Sequence, residues 1–442
     1  MTALLIVLWA TIGTLVGALV SLIPSLHIYN VAGFALLLWE FTSHLIPGPA
    51  IGPFFISLIV AFAFINTITM TFIGAPDESA TVTILPGTKY MMSGRGYEAA
   101  MLTGIGTLAG VGLLALLTPY FFYILPPLNK IVSPHLHWIL GLVMVYMLMS
   151  EWPKGTGRGN TVWERFKDAW GNLFAGIATF GLAAIMGLIL TSKSFITHEM
   201  GFQNILPIFV GLFAVPSIIQ NLLSHEPIPE QHIAQRVEMN WRDLGKGVFQ
   251  GGIGGVLAAY LPAVTAGIGG IIAGHATAQR GDKIFIISGG VSKIIYYVGA
   301  FLMLFIITPL SPNGLGKGGL NMILRPVFSP EEGQFAIMLM TIIFSGCLSF
   351  LLLGALSRLT IRLLRKVDYH IIYWVVLVLV IGIVGGLTRG AGLIVLAVST
   401  CIGSIPVFYH CRRSNSMAVL LVPIALNMAG LGEPVMRLMG LE

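Results

Sequence analysis

The stretch NTITMTFIGAPDESATVTILPGTKYMMSGRGYEAA, residues 66–100, lies between two long apolar segments and decides how the chain must fold. Polar residues crowd the end of the first apolar segment, and Gly74-Ala75-Pro76 then ends any helix. Polar groups are costly in hydrocarbon, so such backbone persists in a membrane only where protein or a water-filled cavity surrounds it. The stretch therefore predicts the lining of a cavity, with Asn66 and Thr67 among the substrate-binding residues.

Composition indicates a membrane protein. Of the 442 residues, 56% are hydrophobic and only 10% are charged, whereas about a quarter of the residues in soluble domains are charged. A helix needs about twenty apolar residues to cross a bilayer, and about ten to thirteen apolar segments can be placed along this chain. We therefore predict the all-α fold class, as a polytopic protein of the cell membrane. The first apolar segment lacks the basic start and the cleavage site of a signal peptide, so we expect it to stay in the mature fold.

The charged residues and the cysteines limit the possible functions. The net charge of +6 comes from basic residues in short loops between apolar segments, which report topology and do not indicate nucleic acid. Lys89, Arg95 and Glu98 are expected to be solvated or interfacial. The three cysteines have no metal-ligand spacing, and no catalytic motif is present, so we expect no metal, no cofactor and no enzyme activity.

Glycine and proline are concentrated in residues 247–274, which hold nine glycines around Pro262. The basic loop before this block and the loop at residues 311–333 are expected on opposite faces of the membrane, yet two apolar blocks separate them where an odd number of crossings is required. Residues 247–274 are therefore predicted to form a re-entrant hairpin or a broken helix. The alternative is a continuous, close-packed helix with small-residue faces.

An internal repeat is visible in the same region. GTLVGALVSLIP at residues 13–24 recurs as GGIGGVLAAYLP at residues 251–262, with two glycines and the proline at identical spacing. We predict one transmembrane domain made of two halves, residues 1–246 and 247–442, that enter the membrane from opposite faces. Inverted repeats of this kind are typical of secondary transporters, whose binding sites form where broken helices of the two halves meet.

Several segments in order also resemble a known family. They are FIGAPDESATVTILPGTKYMMSGRGYEAAMLTGIGT (residues 72–107), GDKIFIISGGVSKIIYYVG (residues 281–299) and IPVFYHCRRSNSMAVLLVPIALN (residues 405–427). Together with the text around the two prolines, they look like the large membrane subunit, TctA, of the tripartite tricarboxylate transporters, particularly its archaeal branch. The chain departs from the family at Pro24-Ser25 and Pro262-Ala263, where the family usually has Pro-Gly. The resemblance implies a transporter of small organic anions, with a small membrane subunit and an extracytoplasmic binding protein as partners.

Candidate substrate-binding residues follow the first proline. After Pro24 come Ser25, His27 and Asn30, which supply hydroxyl, imidazole and amide groups near the start of the next helix. Helix N-termini carry unpaired N–H groups that favour anions, so these residues predict a site for an anion or an anionic headgroup. The alternative is that Ser25 and Asn30 only cap a helix.

The second half contributes Pro262, Thr265, Ser292 and Lys293 to the predicted substrate site. Lys293 stands alone in a long apolar stretch, where an ammonium must reach a partner, a cavity or the interface. One interpretation is that Lys293 pairs with an anionic substrate. The other is that it extends to the membrane surface.

Two carboxylates after Pro76 are candidates for ion coupling. Asp77 and Glu78 could bind a proton or a cation beside the cavity, since ionisable residues within a membrane are functional candidates. The alternative is an ordinary turn in which they cap the next segment.

Three functions fit these residues. The first is a secondary-type permease for a small organic anion such as a carboxylate, coupled to an ion. The second is a translocase for an anionic lipid carrier such as a polyprenyl phosphate, which would need a lateral opening to the bilayer. The third, an intramembrane lipid-modifying enzyme, would need an acid, a base or a metal that the sequence does not offer.

Overall fold

The computed structural model describes residues 2–24, 31, 46–75, 79, 84–153, 155, 157, 159–193, 202–224, 228–278, 281–312, 314–315, 328, 330 and 332–441. These residues form helices and connecting turns, with no β-strand among them. In chain order the helices are α1 (Thr2–Ser21), α2 (Gly48–Ile68), α3 (Ile84–Met92), α4 (Gly96–Val132), α5 (Leu136–Met149), α6 (Val162–Ser192), α7 (Phe202–Phe209), α8 (Val215–Leu223), α9 (Trp241–Tyr260), α10 (Ala266–Ala276), α11 (Asp282–Ile294), α12 (Phe335–Leu364), α13 (Tyr369–Phe408), α14 (Ala418–Met428) and α15 (Gly432–Leu438).

Several of these helices continue into or out of π-helical or 3-10 turns. α2 continues through the π turn Thr69–Ile73, and the π turn Val210–Ala214 joins α7 to α8. α11 continues through the π turn Ile295–Gly299, one α-helical turn at Ala300–Leu302 and the 3-10 turn Met303–Phe305. The shorter 3-10 turns are Ser133–His135, Glu332–Gln334 and Arg413–Met417.

Eight helical stretches of the described residues are long and apolar enough to cross a membrane. One of them, Gly96–Met149, has 54 residues, more than two spans of about twenty residues need. The prediction of an all-α, polytopic integral membrane protein is confirmed.

The chain divides into two compact units, each assembled from two separated segments. The first unit comprises residues 1–130 and 225–376, and the second comprises residues 131–224 and 377–442. The units therefore do not coincide with the halves 1–246 and 247–442. Division into two repeats of opposite topology stays a proposal, whereas the units describe which segments pack together.

In the first unit, glycines at equivalent positions of the two predicted halves allow one helix to pack directly on another. A side chain at Gly13 would overlap the carbonyl oxygen of Phe54, so α1 lies directly on the backbone of α2. In the same way a side chain at Gly251 would overlap the carbonyl oxygen of Ser288, so α9 lies on α11. The glycines four residues further on, Gly17 and Gly255, contact α2 and α11 one turn later. This equivalent packing supports the internal repeat, while the opposite orientation of the halves stays a prediction.

The Gly-rich block forms two helices that are broken at Pro262. α9 ends at Tyr260, α10 begins at Ala266, and Ala263 between them has a φ of 59°. Gly254 and Gly269, on either side of the break, meet backbone to backbone, so the helices run antiparallel and in close contact. The alternative of one continuous helix is therefore wrong, and re-entry from a single membrane face stays a prediction.

In the second unit, α14 packs against α5 and α6. A side chain at Gly187 would overlap the main chain of Val419, which brings α6 and α14 into direct backbone contact. The carboxylate of Glu151 accepts hydrogen bonds from the Arg412 N–H at 2.6 Å and from the Asn415 amide at 3.2 Å. These hydrogen bonds connect the loop after α5 to the residues just before α14.

Candidate functional site

Lys293 lies inside the first unit, at the end of α11, with only 3% of its surface exposed. Its Nζ donates a hydrogen bond to the Thr67 Oγ1 atom of α2, at 3.3 Å. Thr67 is itself fully buried. An ammonium in such a place is costly unless it is paired or bound, so Lys293 stays a candidate for contact with negative charge. Extension of Lys293 to the membrane surface, the alternative interpretation, does not fit this burial.

Ser292, the residue before Lys293, connects α11 to the start of α10. Its Oγ donates a hydrogen bond of 3.2 Å to the carbonyl oxygen of Ala266, the first residue of α10. Consecutive helical residues point about 100° apart, so Ser292 contacts α10 while Lys293 contacts α2. The end of α11 therefore contacts two helices, through Ser292 the N-terminus of α10 and through Lys293 the helix α2.

Thr265 precedes α10 and places a hydroxyl group at that N-terminus. The residue is 3% exposed, its side chain makes no capping bond, and its Oγ1 has no hydrogen-bond partner in the structure. A buried hydroxyl group without a partner costs about 1–3 kcal/mol. The first turn of a helix also has backbone N–H groups without intrahelical partners. This helix end thus offers unused donors to an anion.

Both helices that carry the Lys293–Thr67 contact become π-helical just beyond it. The π turn Thr69–Ile73 begins two residues after Thr67, and the π turn Ile295–Gly299 begins two residues after Lys293. π turns are rare and occur frequently at functional sites. On the second π turn, the Tyr297 hydroxyl donates a hydrogen bond of 2.9 Å to Ser79, which belongs to the stretch predicted to line a cavity.

The other predicted substrate residues are buried or lie outside the described part of the chain. Asn66 is buried beside Thr67, and its carbonyl oxygen accepts a hydrogen bond from Thr69 Oγ1 at 2.9 Å. Pro24 and Pro262 are buried in the turns that follow α1 and α9. The predictions for Ser25, His27, Asn30, Asp77 and Glu78 fall outside the described residues.

Of the two positions expected for Glu98, solvated or interfacial, solvation is wrong, and an interfacial position stays a prediction. Glu98 is 4% exposed and accepts two hydrogen bonds of 2.8 Å from the Arg95 guanidinium, one on each carboxylate oxygen. The hydrogen bond with Glu98 raises the pKa of Arg95 above its ordinary value. The side-chain oxygen of Gln231, from a distant loop, accepts a hydrogen bond of 2.9 Å from the Gly96 N–H. The turn before α4 therefore packs against that loop. The ion pair could have been predicted from the sequence, because Arg95 and Glu98 are three residues apart at a helix start.

Taken together, the described residues place a buried cation, two hydroxyl groups and a helix N-terminus around the end of α11. This arrangement can bind an anion through charge-assisted hydrogen bonds. Among the described side chains we find no group of three histidine, cysteine, aspartate or glutamate residues that could hold a metal ion.

Comparisons with known proteins agree with this architecture. The sequence model of the tripartite tricarboxylate transporter TctA family matches residues 7–418. An uncharacterized protein of the archaeon Methanocaldococcus jannaschii is 24% identical over 432 residues, which cover 95% of this chain and 98% of the relative. No solved structure matches the chain. The chain belongs to the tripartite tricarboxylate transporter TctA family, a family of transporter components and not of enzymes.

Proposed function

We propose that this protein is a secondary-type permease that binds a small organic anion, such as a carboxylate, between α2, α10 and α11. The observation that carries the proposal is the buried Lys293 ammonium, which contacts Thr67, while the preceding residue, Ser292, contacts the first residue of α10. In this scheme Lys293 neutralises the anion, while Thr265 and the first N–H groups of α10 orient it. Binding near the membrane midplane would let the two repeats open it alternately to either face.

The enclosure of Lys293 favours a soluble anion over an anionic lipid carrier. A lipid translocase needs a lateral opening through which the lipid tail stays in the bilayer, whereas this lysine is almost entirely covered by protein. The polyprenyl phosphate translocase is therefore the second candidate, to be tested beside the first.

Ion coupling is assigned to Asp77, with Glu78 as its neighbour. The proposal rests on their place in the sequence, directly after the polar end of α2 and before Ser79, whose hydroxyl group contacts Tyr297. A cation or proton on Asp77 would offset the charge of the anion during transport. We also propose that the protein lies in the cell membrane and works with a small membrane subunit and an extracytoplasmic binding protein, as the tripartite family suggests.

The function can be tested by counterflow in proteoliposomes. Purified protein is reconstituted and loaded with one unlabelled anion from a panel that includes citrate, succinate and lactate, and uptake of the labelled anion is measured. We expect counterflow of at least one carboxylate, and we expect Asp77→Asn to retain counterflow while losing ion-driven accumulation. Failure of every carboxylate, together with movement of a labelled polyprenyl phosphate between leaflets, would favour the lipid translocase.

A further inference from the structure

An apolar groove runs along α9, on the first unit, away from the candidate anion site. It encloses about 760 Å³. Leu113 contacts the position of Gly252 at the floor of the groove, where α4 meets α9. The walls are apolar side chains of both helices, among them Leu117, Trp241, Val248, Phe249 and Leu257.

The length of the groove suits a lipid acyl chain. Its lining extends along α9 from Trp241 to Leu257, which corresponds to roughly 24 Å at 1.5 Å per residue. One leaflet of the hydrocarbon core is about 15 Å deep. A single acyl chain that enters from the headgroup level can therefore lie wholly within the groove.

Charge at one end of the groove selects the headgroup. Arg242 and Lys246 are exposed and four residues apart, on the flank of α9 that also carries Phe249. Asp243, between them, lines a separate polar cleft that also contains Lys89 and Asp282. Two basic residues therefore lie beside the end of the groove, and the adjacent Trp241, which is 84% exposed, is of a residue type that is enriched at membrane interfaces.

We propose that this groove holds one acyl chain of an anionic phospholipid, with its phosphate bound by Arg242 and Lys246. The site is independent of the proposed transport activity, because it shares no residue with the end of α11. A basic residue near an anionic lipid surface strengthens binding roughly fivefold. Loss of both should weaken anionic lipid binding by about 25-fold and weaken zwitterionic lipid binding less, because the cationic group of a zwitterionic headgroup offsets the charge of its phosphate.

Gly245 allows the groove itself to be filled. It lines the groove, and apart from its chain neighbours and the backbone of its own helix no described protein atom lies within 4 Å of the position that its Cβ would occupy. Gly245→Leu therefore adds a side chain to the acyl site without a clash. Gly382→Leu is the matched control, because Gly382 is an exposed helical glycine with equally open surroundings on α13.

The test is native mass spectrometry of delipidated protein titrated with phosphatidylglycerol or with phosphatidylcholine of the same acyl chains. We expect one phosphatidylglycerol to bind to wild type more tightly than phosphatidylcholine. Arg242→Gln with Lys246→Gln should abolish that preference, and Gly245→Leu should weaken both lipids at least tenfold. The control pair Arg362→Gln with Lys366→Gln, also exposed and four residues apart, should leave binding unchanged.

Two outcomes would overturn the proposal. Phosphatidylglycerol affinity that is unchanged by Gly245→Leu would show that the groove does not hold the lipid. A helix of a partner protein would then be the candidate occupant of the groove. Equal losses in the control variants would show that binding depends on general surface charge and hydrophobicity.

Discussion

Replacement of Lys293 by methionine separates ligand binding from folding. Methionine has nearly the same length as lysine, but it removes the ammonium and its hydrogen bond of 3.3 Å to Thr67. A buried ammonium bears a desolvation cost that a neutral side chain does not. Lys293→Met removes this cost together with the contacts of the ammonium, so without ligand it should stay folded, with a thermal unfolding midpoint near that of wild type.

The effect on ligand binding should be large. Loss of one partner of a desolvated charge pair costs about 2–5 kcal/mol, because the other charge is left buried and unpaired. At about 1.4 kcal/mol per factor of ten, this corresponds to an affinity roughly thirtyfold to several thousandfold weaker. The anion that gives counterflow in wild type should thus show almost no binding to Lys293→Met.

Lys283→Met is the matched control. Lys283 lies in the first turn of the same helix, and its side chain is 31% exposed. Its Nζ donates to the Glu238 carbonyl oxygen at 2.8 Å and therefore has a surface role. Isothermal titration calorimetry and thermal unfolding of the two purified variants give affinity and stability side by side.

The reasoning would be refuted by either of two results. Lys293→Met could bind the anion within about threefold of wild type, which would show that the ammonium does not contact the ligand. Alternatively, the two lysine variants could lose affinity equally, which would indicate a general effect of positive charge.

Three further changes test other parts of the structure. Ala263 has a φ of 59°, which glycine adopts without steric cost, so Ala263→Gly should stabilise the protein by about 1 kcal/mol. Ala258→Gly, within α9, should destabilise it, and thermal unfolding compares the two variants. Gly251→Val should prevent α9 from packing on α11 and reduce the yield of folded protein, whereas Gly171→Val, in open surroundings, should not; size-exclusion chromatography distinguishes them. Burial, reinforced by the charge of Glu151, raises the pKa of the Cys411 thiol to about 12. At pH 8 only about one Cys411 thiol in ten thousand is then a thiolate, the reactive form. Mass spectrometry should therefore find Cys411 unmodified after treatment with a thiol reagent.

The features that could be predicted from the sequence depend on local backbone chemistry. Pro262 removes a helix hydrogen bond, and glycines on either side of it permit close helix contact, so the break between α9 and α10 follows from residue types alone. The departure from Pro-Gly at position 263 also acquires a physical meaning. The backbone there is left-handed, which explains why glycine suits this position in the family.

The features that sequence reasoning missed depend on contacts between distant segments. Lys293 can be recognised from the sequence as an unusual charge. Its hydrogen-bond partner Thr67 lies 226 residues away and is predicted as a site residue only because polar residues crowd the end of an apolar segment. The contact between Tyr297 and Ser79 gave no sequence signal, because both residue types are common in turns and cores. The division into two compact units was likewise hidden, because each unit is assembled from two separated segments.

The most direct test of the central claim is ligand protection of a cysteine at the N-terminus of α10. Thr265→Cys is made in a background where the exposed Cys347 and Cys401 are replaced by serine. Position 265 is buried, so a small thiol reagent reaches it only when the site opens to one face during transport, and the rate of modification is measured in proteoliposomes with and without the anion that gives counterflow. Thr161→Cys, at the exposed N-cap of α6, is the control. The account predicts that the transported anion slows modification at position 265 at least tenfold and leaves position 161 unaffected. Equal modification rates at position 265 with and without a saturating transported anion would contradict the claim that this helix end binds the substrate.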